Sequence, residues 1–500
     1  MHNDRDTVSA PRRKFLGFLA ATSALIAHTA ATWAREPGAA EASETARSLM
    51  ALDNTLEGDL LLPDDDRFES MRGISWNRLI PERRPDFIVM AKSQEDVVST
   101  LQFARQYKRR VAVRGGGHNW CASALRQSGI LLDLSHMRSL RIDPTAGTAT
   151  VEPVVRGAEL IAAAAEHSLM FPVAHCPTVP LSGFLLNGGN GLNYNRLGNG
   201  ASNILSIDLV LADGRQLTVS SESHPDLFWA ARGAGPGFFA VATRYRLKLH
   251  PLPKAVTMSR YVFPGAATEV ATGLVDSLSK SMSPDVCLFL TIGAPPPELA
   301  ASNDTVAVVS AITYTDSGAD AEAALKPLNT DPRVGRAASS SVNVPTDLES
   351  FLGAVGSTLP GGHHALVDNI WSNESLSTML AKSPKHYASA PSPKSHLFVA
   401  CFHMPSNSTA TSYSWLGRYL VYNNTIWTDA AEDESNRSWH SKATSLLDPH
   451  KIGRYVGETD LTKEADVAQQ CYTPETWTRL RALRATYDPE GLFHDYLRRA

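Results

Sequence analysis

His118 and Cys176 are the two side chains of this sequence that could form bonds to one ligand, because each sits in a loop punctuated by glycine. The first loop is Val111-Ala-Val-Arg114-Gly115-Gly116-Gly117-His118-Asn119-Trp120. The second is Ala174-His-Cys176-Pro177-Thr178-Val179-Pro-Leu-Ser182-Gly183, running on to Gly188, Gly189, Asn190 and Gly191. Three consecutive glycines remove every Cβ from a turn, so successive backbone N–H groups can converge on a pyrophosphate, and Arg114 could add charge. A histidine and a cysteine that reach the same flat cofactor could hold it covalently. Each piece alone also fits a blander reading: a tight turn without G-x-G-x-x-G spacing, a packed histidine, an inert buried thiol.

The elements that must carry these loops alternate between helix and strand from Pro81 to His250. Ser93-Gln-Glu-Asp96 is a capping-box-like start before Val97, Val98, Leu101 and Ala104 at helical spacing. Val111 to Val113 reads as a strand ending at the triple glycine, Ile130 to Leu134 and Thr148 to Val151 as further strands, and Ala158 to Leu169 as a helix. Ile207 to Leu211 pairs with Leu217 to Val219 as a hairpin across Asp213-Gly214, and Phe239 to Leu249, with Val241 in it, alternates apolar and polar residues as a half-buried strand. After Pro251-Leu-Pro253 strand-like runs at Val286–Leu290 and Val306–Tyr314 predict a second domain on an antiparallel sheet, with looser Ser/Pro/Asn-rich connections to about residue 445. Trp477, Leu480, Leu483 and Tyr487 predict a last helix, ended by Asp488-Pro489-Glu-Gly491, that packs back on the first domain.

A chain of 500 residues predicts two to four domains at roughly 100–200 residues each. Its 43% hydrophobic and 20% charged residues and net charge of −4 are those of an ordinary globular protein and give nucleic acid nothing to bind. Arg12-Arg13-Lys14-Phe15-Leu16, an apolar run to Ala27, then Ala31-Thr-Trp-Ala34, is too short to span a bilayer and predicts a cleavable export signal of twin-arginine type, leaving no stable membrane anchor. Five cysteines, Cys121, Cys176, Cys287, Cys401 and Cys471, lack C-x-x-C spacing and form neither a zinc site nor a complete disulfide framework. His363-His364 is a weak metal signal, since adjacent strand residues face opposite ways, and no metal site is expected.

Arg114-Gly-Gly-Gly-His118, Cys176-Pro-Thr-Val179 with Ser182-Gly183 and Gly188-Gly189, Asp226-Leu-Phe-Trp-Ala230 with Arg232-Gly233, and Tyr487-Asp-Pro489 with Phe493 occur in that order. Together they resemble the berberine bridge enzyme-like FAD-linked oxidases of the p-cresol methylhydroxylase and vanillyl-alcohol oxidase superfamily, from about residue 75 to the C-terminus. The resemblance implies an α+β fold: a signal peptide over 1–34, a polar lead-in over 35–74, an FAD-binding domain of the p-cresol methylhydroxylase type over 75–252 completed by 446–500, and a substrate domain over 253–445 whose antiparallel sheet, flanked by helices, roofs the flavin.

It also implies FAD attached twice, through His118 to the flavin 8α-methyl and Cys176 to C6, with contacts from Arg114, Gly115, Gly116, Gly117, Asn119, Pro177, Thr178, Val179, Ser182, Gly183, Gly188, Gly189, Gly191 and Val241. The FAD would accept hydride at N5 from a small alcohol, sugar, amine or secondary metabolite and pass electrons to oxygen, giving hydrogen peroxide. Val179 matches the oxidase choice, whereas Ala174 stands where relatives carry glycine; a dehydrogenase using another acceptor is one alternative and a non-catalytic secreted binding protein another. Tyr455 falls where the resemblance places a catalytic tyrosine, Asp368 is a carboxylate that could lower its pKa, and Tyr194 could face the same pocket. Gly457 and Thr476 replace expected asparagines. Folded export with the cofactor inside predicts a periplasmic or extracellular location.

Overall fold

Ser93 accepts the backbone N–H of Asp96 at 3.2 Å and starts the helix Gln94–Gln106, as its spacing predicts. The computed structural model describes residues 39–296, 299, 305–358, 361–403, 410–464 and 466–497; the stretch expected to be an export signal lies outside them. The segment expected to be a polar lead-in is ordered: the helix Ala39–Asp53 and strand β1 (Asp59–Leu61) place Leu52, Leu56 and Leu61 in buried positions. The Asp96 carboxylate holds that segment, accepting from Glu57 N at 2.8 Å and Gly58 N at 3.0 Å.

β1 lies antiparallel on β2 (Phe87–Met90), which continues in parallel through β4 (Ile130–Asp133) to β3 (Val111–Arg114). β2 and β4 are buried on both faces, as central parallel strands are, which is why they read as unbroken apolar runs. The helix expected over 158–169 is Gly157–Ala165; Ser168 takes φ +57 and the chain turns into β7 (Leu169–Met170).

A second, antiparallel sheet has the order β5 (Leu140–Asp143), β6 (Thr148–Val151), β10 (Ala240–Lys248), β8 (Ile204–Leu211), β9 (Gln216–Ser220). Its β8–β9 hairpin turns at Gly214, φ +85. β11 (His250–Pro251) pairs with β7.

The third sheet has seven antiparallel strands in the order β15 (Ser339–Thr346), β12 (Ala255–Pro264), β14 (Val306–Thr315), β13 (Val286–Gly293), β17 (His396–Cys401), β18 (Tyr419–Trp427), β16 (His364–Ser372). Four of these strands, and the helix Asp433–Leu447, occupy the stretch expected to be loose connections. Polar residues inside them hid the pattern. Asn423, fully buried in β18, accepts from Tyr387 Oη at 2.7 Å and meets His440 on the covering helix, so its polarity is satisfied rather than solvated. One face of this sheet packs under helices; Leu288, Leu290 and Ile292 of β13 and Tyr419 and Val421 of β18 point there. The other residues of the alternation, Phe289, Thr291, Phe398, Tyr422 and Asn424, face a cavity.

The helix Pro474–Tyr487 is capped by Thr473 and ends at Asp488, whose carboxylate accepts from Leu492 N at 2.6 Å and Phe493 N at 3.1 Å. That turn lays Phe493 parallel to Val111 at the open edge of β3, directly before the glycine loop.

Candidate active site

A cavity of about 800 Å³ lies between the glycine loops and the bare face of the seven-stranded sheet, within the roughly 300–1,000 Å³ of small-ligand sites. Gly115, Gly116 and Gly117 line it. Two of them can be nothing else: a Cβ on Gly116 would stand 2.1 Å from Pro180 Cγ, and Gly117 takes φ +66 with its Cβ direction 2.8 Å from the Ile74 carbonyl oxygen. Arg114 also lines the cavity, but its charge meets Asp133, with Nε 2.5 Å from Oδ2; of its remaining atoms, buried Nη2 has no protein partner. The same is true of Asn187 Oδ1, Asn190 Nδ2, His175 Nε2 and His494 Nε2, all on residues lining this cavity. Buried polar atoms are rarely left without partners, so this concentration fits a polar group such as a dinucleotide.

His118 and Cys176 meet in this cavity. His118 Nε2 stands 3.9 Å from Cys176 Sγ and 3.0 Å from Thr178 Oγ1, and Thr178 Oγ1 is 3.4 Å from the sulfur. Trp76 packs over the imidazole, ring centroids 5.6 Å apart. Loss of water pushes the His118 pKa down to about 4, so the ring is neutral and has a lone pair to offer. All five cysteines are free thiols.

The remaining expected contacts divide. Asn119, Val179, Ser182 and Gly183 line the cavity; Pro177 and Thr178 sit behind it, Thr178 acting through His118. Ser182 Oγ is turned to Tyr245 Oη at 3.0 Å. Gly188, Gly189 and Gly191 are not on the lining: their missing side chains make room for Tyr413, Phe184 and the Pro172 and Val173 carbonyls. Val241 is corrected by strand parity, since Ala240 and Ala242 face the cavity and Val241 faces the core.

The expected catalytic cluster is rearranged. Tyr455 lines the cavity, and burial pushes its pKa well above the usual tyrosine value, so the phenol keeps its proton. Asp368 does not approach that hydroxyl. It is buried on the far side of β16 against Arg454 Nη1 at 2.7 Å and Lys463 Nζ at 3.4 Å, while the next residue, Asn369, accepts the Tyr455 backbone N–H at 2.7 Å. Tyr194 donates to the Cys401 carbonyl at 2.7 Å and stacks on Phe402, away from the lining. His363 and His364 turn to Lys394 and Asp433 respectively; among the described residues no cluster could hold a metal ion.

Glu458 is the residue that sequence reasoning missed. It lines the cavity beside Tyr422 and Trp120, and desolvation raises its pKa. The available signal was its position three residues after Tyr455, where Gly457 lets the chain double back: a Cβ there would lie 2.7 Å from Tyr455 Cζ.

Residues 85–220 match a family described as an FAD binding domain. An FAD-linked oxidoreductase of Penicillium janthinellum is 26% identical over 432 residues, covering 85% of this chain and 93% of that one. The (R)-6-hydroxynicotine oxidase of Paenarthrobacter nicotinovorans is 28% identical over 469 residues, covering 90% and 98%. Among solved structures, 6-hydroxy-D-nicotine oxidase from Arthrobacter nicotinovorans superposes with a TM-score of 0.77 at 25% identity, covering 88% of this chain and 98% of that one. The berberine bridge enzyme-like protein 1 of Physcomitrella patens shares the fold, with a TM-score of 0.75 at 17% identity over 90% and 98%. No helix among the described residues is long and apolar enough to cross a membrane.

Proposed function

We propose, on the premise that this chain with its FAD-binding domain is an FAD-linked oxidoreductase, that its FAD is attached through both His118 and Cys176 and that the enzyme is an oxidase of a small organic molecule. The observation that carries this reading is the 3.9 Å approach of His118 Nε2 to Cys176 Sγ at the cavity wall, since two nucleophiles that close can reach the 8α-methyl and C6 on the same benzenoid ring of one flavin. Bound FAD supplies a two-electron acceptor that takes hydride at N5 and returns electrons to oxygen as hydrogen peroxide.

The protein's own residues bind and orient. The glycine loop offers backbone N–H groups to the diphosphate, and Arg114 Nη2, Asn187, Asn190 and His494 have buried polar atoms to spare for the cofactor. Phe289, Phe398 and Tyr422 close the substrate side with an apolar roof that excludes water. Ala174, on the cavity wall two residues before Cys176, favours a second reading, in which its methyl group narrows oxygen access and the enzyme is a dehydrogenase. The N-terminal twin-arginine pattern supports export of the folded, flavin-loaded protein.

Acid precipitation tests the attachment: yellow colour that stays with the precipitate is expected, and flavin released to the supernatant would refute covalent linkage. Photoreduced protein mixed with air recolours within seconds if it is an oxidase and stays bleached if it is a dehydrogenase.

A further inference from the structure

Thr178 joins the two side chains proposed to hold the flavin. Its Oγ1 lies 3.0 Å from His118 Nε2 and 3.4 Å from Cys176 Sγ, while the sulfur and the nitrogen stand 3.9 Å apart. A base takes a proton within about 2.6–3.2 Å or through one bridging O–H, so the direct path is too long and the path through the hydroxyl is open. A hydroxyl has one proton and two lone pairs, and can accept from sulfur while it donates to nitrogen. The imidazole is able to receive, because desolvation keeps the ring neutral. Backbone holds the hydroxyl in this place. Gly157 N donates to the Val179 carbonyl at 3.0 Å and Ala158 N to the Pro177 carbonyl at 3.2 Å, so two N–H groups that the helix Gly157–Ala165 leaves unpaired at its start pin the residues on either side of Thr178. Val179 N closes the turn on the Cys176 carbonyl at 3.3 Å.

We propose that Thr178 is a positioning residue for cofactor attachment: its hydroxyl carries the Cys176 proton to His118 Nε2 and frees the thiolate that bonds flavin C6. The S–H bond breaks and an N–H bond forms on Nε2, while the threonine gives up one proton and regains another. The thiolate, not the thiol, is the attacking form of a cysteine. Sulfur then bonds C6, the hydrogen displaced there leaves as a proton, and the two electrons released pass through the flavin to molecular oxygen. With Nε2 taking the proton, Nδ1 is the nitrogen left for the 8α-methyl. The relay rests on the double attachment proposed above.

Mass mapping of flavin-bearing peptides from the purified full-length protein, in timed samples held in air between pH 7 and pH 10, tests the relay. The native protein is expected to carry flavin on both the His118 and the Cys176 peptides. Thr178→Val and Thr178→Ala, made at an exposed position, should keep flavin on His118 and form the sulfur bond about 100-fold more slowly at pH 7. Thr178→Ser should restore the native rate. Above the ordinary thiol pKa of about 8.5 the thiol ionises unaided, so the sulfur bond should return in Thr178→Val and Thr178→Ala. That rescue separates proton transfer from shape, because a misplaced sulfur stays misplaced at every pH. Flavin on both peptides at the native rate in Thr178→Val or Thr178→Ala at pH 7 overturns the relay and leaves the double attachment standing, and a sulfur bond still missing at pH 10 overturns the relay likewise. Native protein without flavin on the Cys176 peptide overturns both.

Discussion

His118 and Cys176, 58 residues apart in the chain, face each other at 3.9 Å, with Thr178 Oγ1 within 3.4 Å of both the imidazole nitrogen and the sulfur. The two proposed tethers should fail separately. Cys176→Ala should keep acid-stable flavin through His118 while shifting its visible absorption, and the double variant His118→Ala/Cys176→Ala should release all of its flavin on denaturation. An unchanged spectrum in Cys176→Ala would exclude the sulfur linkage.

Asp368 belongs to stability rather than to the cavity. Asp368 is buried between Arg454 and Lys463, so Asp368→Asn leaves both cations to Asp448 alone and should cost about 3 kcal/mol in urea unfolding. Bound flavin in the surviving folded fraction should be unchanged. A loss of turnover at full stability would instead mark Asp368 as part of the chemistry.

Burial keeps the Tyr455 phenol protonated. Tyr455→Phe removes only the hydroxyl and should change stability by no more than about 1 kcal/mol, with no tyrosine ionisation lost from the pH–rate profile. Gly457→Ala drives a methyl group into the same ring and should destabilise by about 1–3 kcal/mol.

His440, buried beneath the seven-stranded sheet, accepts Thr425 Oγ1–H at 2.7 Å, and desolvation lowers its pKa to about 3. The unfolded chain holds this histidine near its ordinary value of about 6.5, so below that pH the unfolded state binds the extra proton. The contribution is complete above about pH 6.5 and is lost as pH falls toward 3, at up to about 1.4 kcal/mol per pH unit. Urea midpoints between pH 6.5 and 4.5 should show this slope, and His440→Gln should flatten it by one proton.

The glycine loops, the capped helix at Ser93 and the hairpin at Gly214 were legible because each needs only local chemistry. The catalytic cluster was not, because it depends on strand parity: in β16 the residue that bonds Tyr455 is Asn369 and not Asp368, and in β10 parity likewise exchanges Val241 for its alanine neighbours. Glu458 was missed because only the fold brings Tyr422 and Trp120, from distant strands and loops, to line the same cavity.

Phe493 beside Val111, and Arg126 donating to the Asp495 carbonyl at 2.7 Å across 369 residues, give the matched stretch 85–220 a wall it does not encode. That stretch is therefore not a portable module: transplanted alone, it would present an open β3 edge where Leu492 and His494 now exchange hydrogen bonds with Val111. Cofactor loading is thus a checkpoint on the entire polypeptide, since a chain interrupted anywhere before its final turn has glycine loops but no closed pocket to fill.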